Sequence, residues 1–210
     1  MILLFPGKET KLSDYSVIAD IGETLKKLLW ENFAGDLTIT EIVGSEAQIT
    51  LLSPDEMDEG SSKISLFLYQ ITENSHMKNQ EMMAVNNGTL QYPPLTVDFL
   101  FLVTCHTDDR STDHLLMGKI MQIFHDQAVL KGSTLKGNLA GSQEEFRLVF
   151  YTLPFEETIN LWQSFREKSY RLSVCYLVTP VQIDSTRQKE MARVSDIDGT
   201  YHPQPLPPED

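Results

Sequence analysis

Between residues 105 and 114 the chain reads CHTDDRSTDH. Two imidazoles, His106 and His114, flank three carboxylates, Asp108, Asp109 and Asp113. Imidazole nitrogen and carboxylate oxygen are the ligand types of a hydrolytic metal centre. His106, Asp108 and His114 are therefore the candidate set for a small metal-dependent hydrolase. The spacing does not enforce convergence, and no HExxH or related pattern accompanies it. Each residue also has a structural use. The stretch joins an apolar run to a helical one, and Ser111 is placed to cap that helix. Asp113 falls in its first turn, where a carboxylate favours the positive end of the helix dipole. Residues 108–110 have ordinary turn composition.

Other chemistry has less support. There is no GxGxxG, no Walker loop, no GxSxG and no EF-hand loop. KGSTLKGN, residues 131–138, has glycines and lysines without the order of a phosphate loop, and it reads as a flexible connection. His125 and Asp126 could form an acid–base pair. At a helix end they read instead as a carbonyl partner and the start of the exit turn. Trp162 recurs at helical spacing with apolar neighbours and reads as core. Cys105 and Cys175 lie in apolar runs and read as buried free thiols in a reducing, cytosolic compartment.

The composition narrows the function classes. Over 210 residues the formal net charge is −13 and 41% of the chain is hydrophobic. That is an ordinary globular share, enough for one core. The acidic balance argues against nucleic acid as a partner and against an anchor on anionic lipid. No stretch approaches transmembrane length. MILLF at the start is followed by Pro6 and Gly7 and has no basic region before it, unlike a signal peptide.

The elements follow from periodicity. Ile18, Ile21, Leu25, Leu28 and Leu29 recur on one helical face after the candidate caps Ser13, Asp14 and Ser16, and the helix should stop near Phe33. Gly22 on that face suggests a close backbone contact. DLTITEI (36–42) and AQITLL (47–52) alternate and read as a hairpin. Residues 63–72 and 94–105 are apolar on both faces and read as interior strands. Between them lies a loop of about twenty residues, long enough to expect a task. A second helix spans about 112–127, with Leu115, Leu116, Ile120, Ile123 and Phe124 as its buried side. Strand 145–153, a short third helix over 155–165 and strand 170–183 complete the domain, with Pro180 marking an edge or a bulge. The order predicts an α+β fold: a mixed, largely antiparallel sheet packed against two main helices and a short third. Residues 1–12 read as an extension, 13–185 as one domain, and 186–210 as a flexible Pro-rich tail.

Six strings occur in order: SDYSVIADIGETL (13–25), ISLFLYQITENSHMKN (64–79), PPLTVDFLFLVTC (93–105), HLLMGKIMQIFHDQAVL (114–130), LWQSF (161–165) and YRLSVCYLVTPVQIDS (170–185). Together they resemble the cap, or tail-terminator, proteins of contractile injection systems of the antifeeding-prophage type, across most of the chain. The resemblance implies a phage-tail-terminator fold and a homohexameric ring at the baseplate-distal end. It implies that the ring ends growth of the inner tube, joins the last sheath layer, and assembles in the cytoplasm as part of the particle. It implies no catalytic residue, no metal and no cofactor. Residues 1–12 depart from it as an extension, and some relatives run longer at the C-terminus. Within the long loop, Glu73, Asn74, His76, Met77, Asn79, Met82 and Met83 are the candidate contacts with tube or ring, the methionines because thioether side chains adapt to a partner surface. A monomeric adaptor of the same machinery is the other non-enzymatic reading.

Overall fold

Helix α1 (Val17–Phe33) is amphipathic. Val17, Ile21, Leu25, Leu28 and Leu29 are buried on one side. Gly22 lies on that side, and a Cβ built there would fall 2.7 Å from Leu51 Cδ1. This computed structural model describes residues 14–57, 62–86, 88–166 and 168–190. The extension 1–12 and residues 191–210 therefore lie outside the described residues.

The hairpin expected over 36–52 is not formed. Residues 37–43 make a helix, α2 (Leu37–Val43). Asp36 caps it, its Oδ1 accepting from the Ile39 amide at 3.3 Å, and Gly44 at φ +85° ends it. The alternation of a seven-residue run did not decide the matter. Ile39 and Val43, four apart, are the buried pair, and that spacing fits a helix as well. A 3₁₀ turn follows, and then β1 (Ile49–Thr50), which pairs parallel with the next strand.

That strand is β2 (Ile64–Glu73). β3 (Met83–Asn86) and β4 (Thr89–Gln91) then form a hairpin inside the stretch read as one long loop. β5 (Leu95–Cys105) is the central apolar strand, followed by α3 (Arg110–Asp126). Leu116, Ile120, Ile123 and Phe124 are buried as expected, but Leu115 is half-exposed on the outer side of α3. β6 (Val129–Lys131) has no counterpart in the sequence reading. β7 (Glu145–Tyr151), α4 (Phe155–Gln163) and β8 (Ser173–Ile183) follow. β9 (Gln188–Glu190) pairs with β4, so the stretch read as tail begins with a strand.

Six strands form one sheet in the order β1-β2-β5-β8-β7-β6, antiparallel throughout except at β1. The fold is mixed α+β. α1, α2 and α3 bury one face of the sheet, with Phe99, Phe101, Phe146 and Val178 at the centre. On the other face α4 and the turn after it cover one end, through Trp162 and Phe165 against Leu102 and Cys175. Pro180 lies in β8, an interior strand. Asp98 there faces Thr179 and Pro180 together, a bulge that tolerates a residue with no N–H to donate. β3, β4 and β9 make a second, three-stranded sheet, which belongs to a separate compact unit of residues 81–93 and 185–210.

The glycine loop before β7 is a packed element. Leu135 and Leu139 are buried, the Lys136 amide donates to Thr24 Oγ1 at 3.1 Å, and Asn138 Nδ2 donates to Ser16 Oγ at 3.0 Å. Gly137, at φ +63°, sits so close to α1 that a Cβ there would overlap the Asp20 carboxylate.

Candidate functional site

The CHTDDRSTDH stretch leaves β5 and enters α3, and two of its carboxylates, Asp109 and Asp113, hold that join. Asp109, not Ser111, caps the helix, accepting from the Thr112 amide at 2.9 Å and hydroxyl at 3.0 Å. Those bonds hold its carboxyl below the usual carboxylate range. Ser111 lies inside the first turn. Asp113 is buried and accepts from the Thr107 amide (2.7 Å), the Thr107 hydroxyl (2.9 Å) and Arg171 Nη1 (3.1 Å). Arg171 also reaches the Cys105 carbonyl, which ties the entry of β8 to the end of β5. The His106 ring nitrogen Nε2 pairs with Thr104 Oγ1 at 2.8 Å. Burial, with Arg171 nearby, lowers its pKa to about 4, so the imidazole is neutral at pH 7. Asp108 and His114 are exposed. No group of three or more His, Cys, Asp or Glu placed to share an ion occurs among the described residues. Burial raises the pKa of both thiols, Cys105 and Cys175, away from thiolate reactivity.

The candidate contacts divide between the two compact units. In the larger one, Glu73 ends β2 and pairs with Lys78 at 2.8 Å. Asn74 is buried. Its Nδ2 donates to Asp98 Oδ1 at 2.9 Å, and its Oδ1 accepts from the His76 amide at 3.0 Å, so it braces the turn after β2. His76 and Asn79 are exposed and Met77 is half-buried. In the smaller unit, Met82 and Met83 are exposed at the start of the hairpin, as is Val85.

Sequence reasoning missed a further surface. β6 covers β7 only over residues 145–147, with one more bond from the Leu148 amide to the Ala128 carbonyl. Residues 149–151 have no strand on that side among the described residues, and Val149, Phe150 and Tyr151 are 44%, 49% and 38% exposed. A groove of about 460 Å³ opens beside them between α3 and the sheet, lined by Met121, Phe124, His125, Leu148, Phe150 and Tyr176. Phe150 stacks edge-on against Tyr176, and Tyr176 against Phe124. The signal was present in EFRLVFYTL. A strand apolar on both faces must either be covered or serve as a contact.

Residues 20–196 match the family described as the Pvc16 N-terminal domain. The chain belongs to that family. No curated protein matches it. Two solved structures share the family chain's fold. One is the sheath/tube terminator of PVC, an extracellular contractile injection system, in its extended state: 18% identity, TM-score 0.62, covering 92% of this chain and 65% of that one. The other is the tube-terminating cap of the anti-feeding prophage: 20% identity, TM-score 0.56, covering 87% and 61% respectively. The family chain thus spans a little under two thirds of the length of each structure. No helix among its described residues is long and apolar enough to cross a membrane.

Proposed function

We propose that the chain is a structural cap of a contractile injection system. It ends growth of the inner tube and joins the last sheath layer at the baseplate-distal end. The observation that carries the reading is the shared fold with two terminators over 92% and 87% of the chain. Membership of the Pvc16 N-terminal domain family supports it. The partners are the tube and sheath proteins and further copies of the chain in a homohexameric ring. The ring assembles in the cytoplasm, as part of the particle, without membrane insertion and without nucleic acid. The reading assigns no catalytic role: Asp109 and Asp113 hold the join between β5 and α3, and the His106 ring is paired with Thr104. Glu73, His76, Met77, Asn79, Met82 and Met83 are the side chains offered to a partner.

The physical task is to stop a repeating polymer. Head-to-tail addition recreates the same acceptor surface at every step, so growth has no intrinsic end. A ring that binds this surface and shows a different one outward ends it. Deletion of the gene should leave tube and sheath protein made, with tubes of irregular length or sheaths not secured at the distal end. Electron microscopy of purified particles measures this. Complementation with the His106→Ala, His114→Ala double variant should restore particles as the unaltered chain does. Particles of normal length and firing competence from the deletion strain would refute the cap reading.

A further inference from the structure

We infer that copies of this chain join by strand addition, the uncovered end of β7 on one copy pairing with the uncovered length of β2 on the next, so that the sheet runs continuously around the ring. The ring itself belongs to the proposed function; the surfaces that close it are argued here.

The six-stranded sheet has two incomplete edges. β1 covers β2 only at Ile64 and Ser65, so residues 66–73 have no strand on that side among the described residues. β7 is open over residues 149–151. The Leu148 amide faces β6, so the period-two alternation of a strand turns the Phe150 amide and carbonyl to the same open side. An open apolar edge is a template for another strand and is normally covered. Two such edges on one sheet allow a head-to-tail contact in which each copy supplies one and accepts the other. Rotation about a single axis then closes the set and leaves no free edge.

Strand sense supports a second copy as the occupant. β2, β5, β8 and β7 are successively antiparallel, so β2 and β7 run in opposite directions. Copies related by rotation about a ring axis keep one orientation, and β7 therefore meets the next β2 antiparallel. Side chains agree. Ile71 lies opposite Phe99, and Phe150 opposite Tyr176, so both project from the helix-covered face. Each is about half-exposed where it stands. Addition of β2 brings Ile71 against Phe150 at the mouth of the groove. Charge agrees as well. The β2 edge and the turn after β1 carry Asp55, Glu56 and Glu73 against Lys78, with Lys168 Nζ bonded to the Met57 carbonyl in that turn. The β6–β7 edge carries Lys131 and Arg147 against Glu145, with Lys131 and Glu145 paired at 3.6 Å. Asp55 and Glu56, which have no ion pair among the described residues, are then opposite an edge whose exposed Arg147 guanidinium has none there either.

Engineered disulfides test this in assembled particles. Val149, Leu177, Leu100 and Gln70 lie in one row across the sheet. Within one copy Val149 and Gln70 are three strand steps apart, about 14 Å at about 4.8 Å per step. That is beyond disulfide reach. Val149→Cys is combined with Gln70→Cys or with Thr72→Cys, the two registers that keep the faces aligned, and particles are oxidised with diamide. Linked multimers on a non-reducing gel, absent from each single-cysteine variant, are the expected result. Capped particles whose double-cysteine chains stay monomeric in both registers would overturn the pairing and leave the cap reading intact. Linked multimers from the concentrated isolated chain, with particles uncapped, would uphold the pairing and sink the cap reading. Phe150→Pro removes the outward N–H and keeps the β8 ladder; it should abolish rings in light scattering and on particles, and rings that persist would also overturn the pairing.

Discussion

His106 is the side chain whose environment an acid titration can read. In the unfolded chain an imidazole takes its proton near pH 6.5. In the fold, burial first and Arg171 second delay it to about 4. Between those values the unfolded state holds a proton that the folded state refuses. The stability owed to this group is therefore complete above about pH 6.5, declines as pH falls toward 4, and is lost below. His106→Gln should remove that part of the slope. Urea unfolding at half-unit pH steps would show the two proteins diverging between pH 6.5 and 4 and running parallel above 7. Parallel curves throughout would mean that the ring is solvated. Glycine positions separate by the same kind of local accounting. At Gly22 the obstacle to a Cβ is the tip of Leu51, which can move, and alanine gains about 0.8–1 kcal/mol of helix propensity. Gly22→Ala should stay within about 1 kcal/mol of the parent. Gly137→Ala meets both a left-handed φ of +63° and the Asp20 carboxylate, and should cost more than about 1–2 kcal/mol. Chemical denaturation compares them directly, and equal costs would count against the close approach of the loop to α1.

At the scale of the element, the start of α3 separates two readings of the same residues. From sequence, Ser111 is the obvious cap because it precedes the apolar repeat. In the fold, the helix begins two residues earlier than that cap implies, at Arg110, and the Asp109 carboxylate closes the first turn. Asp109→Ala should lower the melting temperature by roughly 2–4 °C, the size expected for a lost cap in a chain of this length. Ser111→Ala should leave it within about one degree, since an exposed first-turn side chain has little to lose. The reverse order in a thermal scan would restore Ser111 as the cap. α2 teaches a related lesson. DLTITEI satisfies a strand by alternation and a helix by its i, i+4 pair Ile39 and Val43. The capping carboxylate of Asp36 and the stop at Gly44 favour the helix. The glycine loop before β7 looks loose in composition, but two buried leucines and the bond from the Lys136 amide to Thr24 anchor it to α1.

At the scale of the molecule, the C-terminal stretch divides the fold's dependence on length. β9 completes the three-stranded sheet with β3 and β4, through Gln188, Lys189 and Glu190. Arg187 stacks over the Tyr92 ring at 4.2 Å, and the Tyr92 amide donates to the Arg187 carbonyl. Removing residues 186–210 should therefore unmask the 83–91 hairpin while the six-stranded sheet keeps its core. Hydrogen exchange by mass spectrometry should show faster exchange over 83–91 and unchanged protection over 95–105. Unchanged exchange over 83–91 would show that β9 adds nothing to the smaller sheet, and lost protection over 95–105 would tie the large sheet to the tail.

The amino-acid sequence by itself determined the elements whose periodicity runs long. α1, α3, β2, β5 and β8 each carry ten or more residues of consistent pattern, and their apolar faces have one burial solution, so the α+β class was legible. The family was legible too, because six strings held their order across the chain. Tertiary structure decided the short and the shared. Runs of three to seven residues, such as α2, β6 and β9, carry too little pattern to outweigh their neighbours. The fate of CHTDDRSTDH was also decided in three dimensions, since the Arg171 that occupies Asp113 comes from 58 residues further along the chain. The open edge of β7 is likewise a matter of which strands stop early, and strand pairing between distant segments is the information that local pattern does not hold.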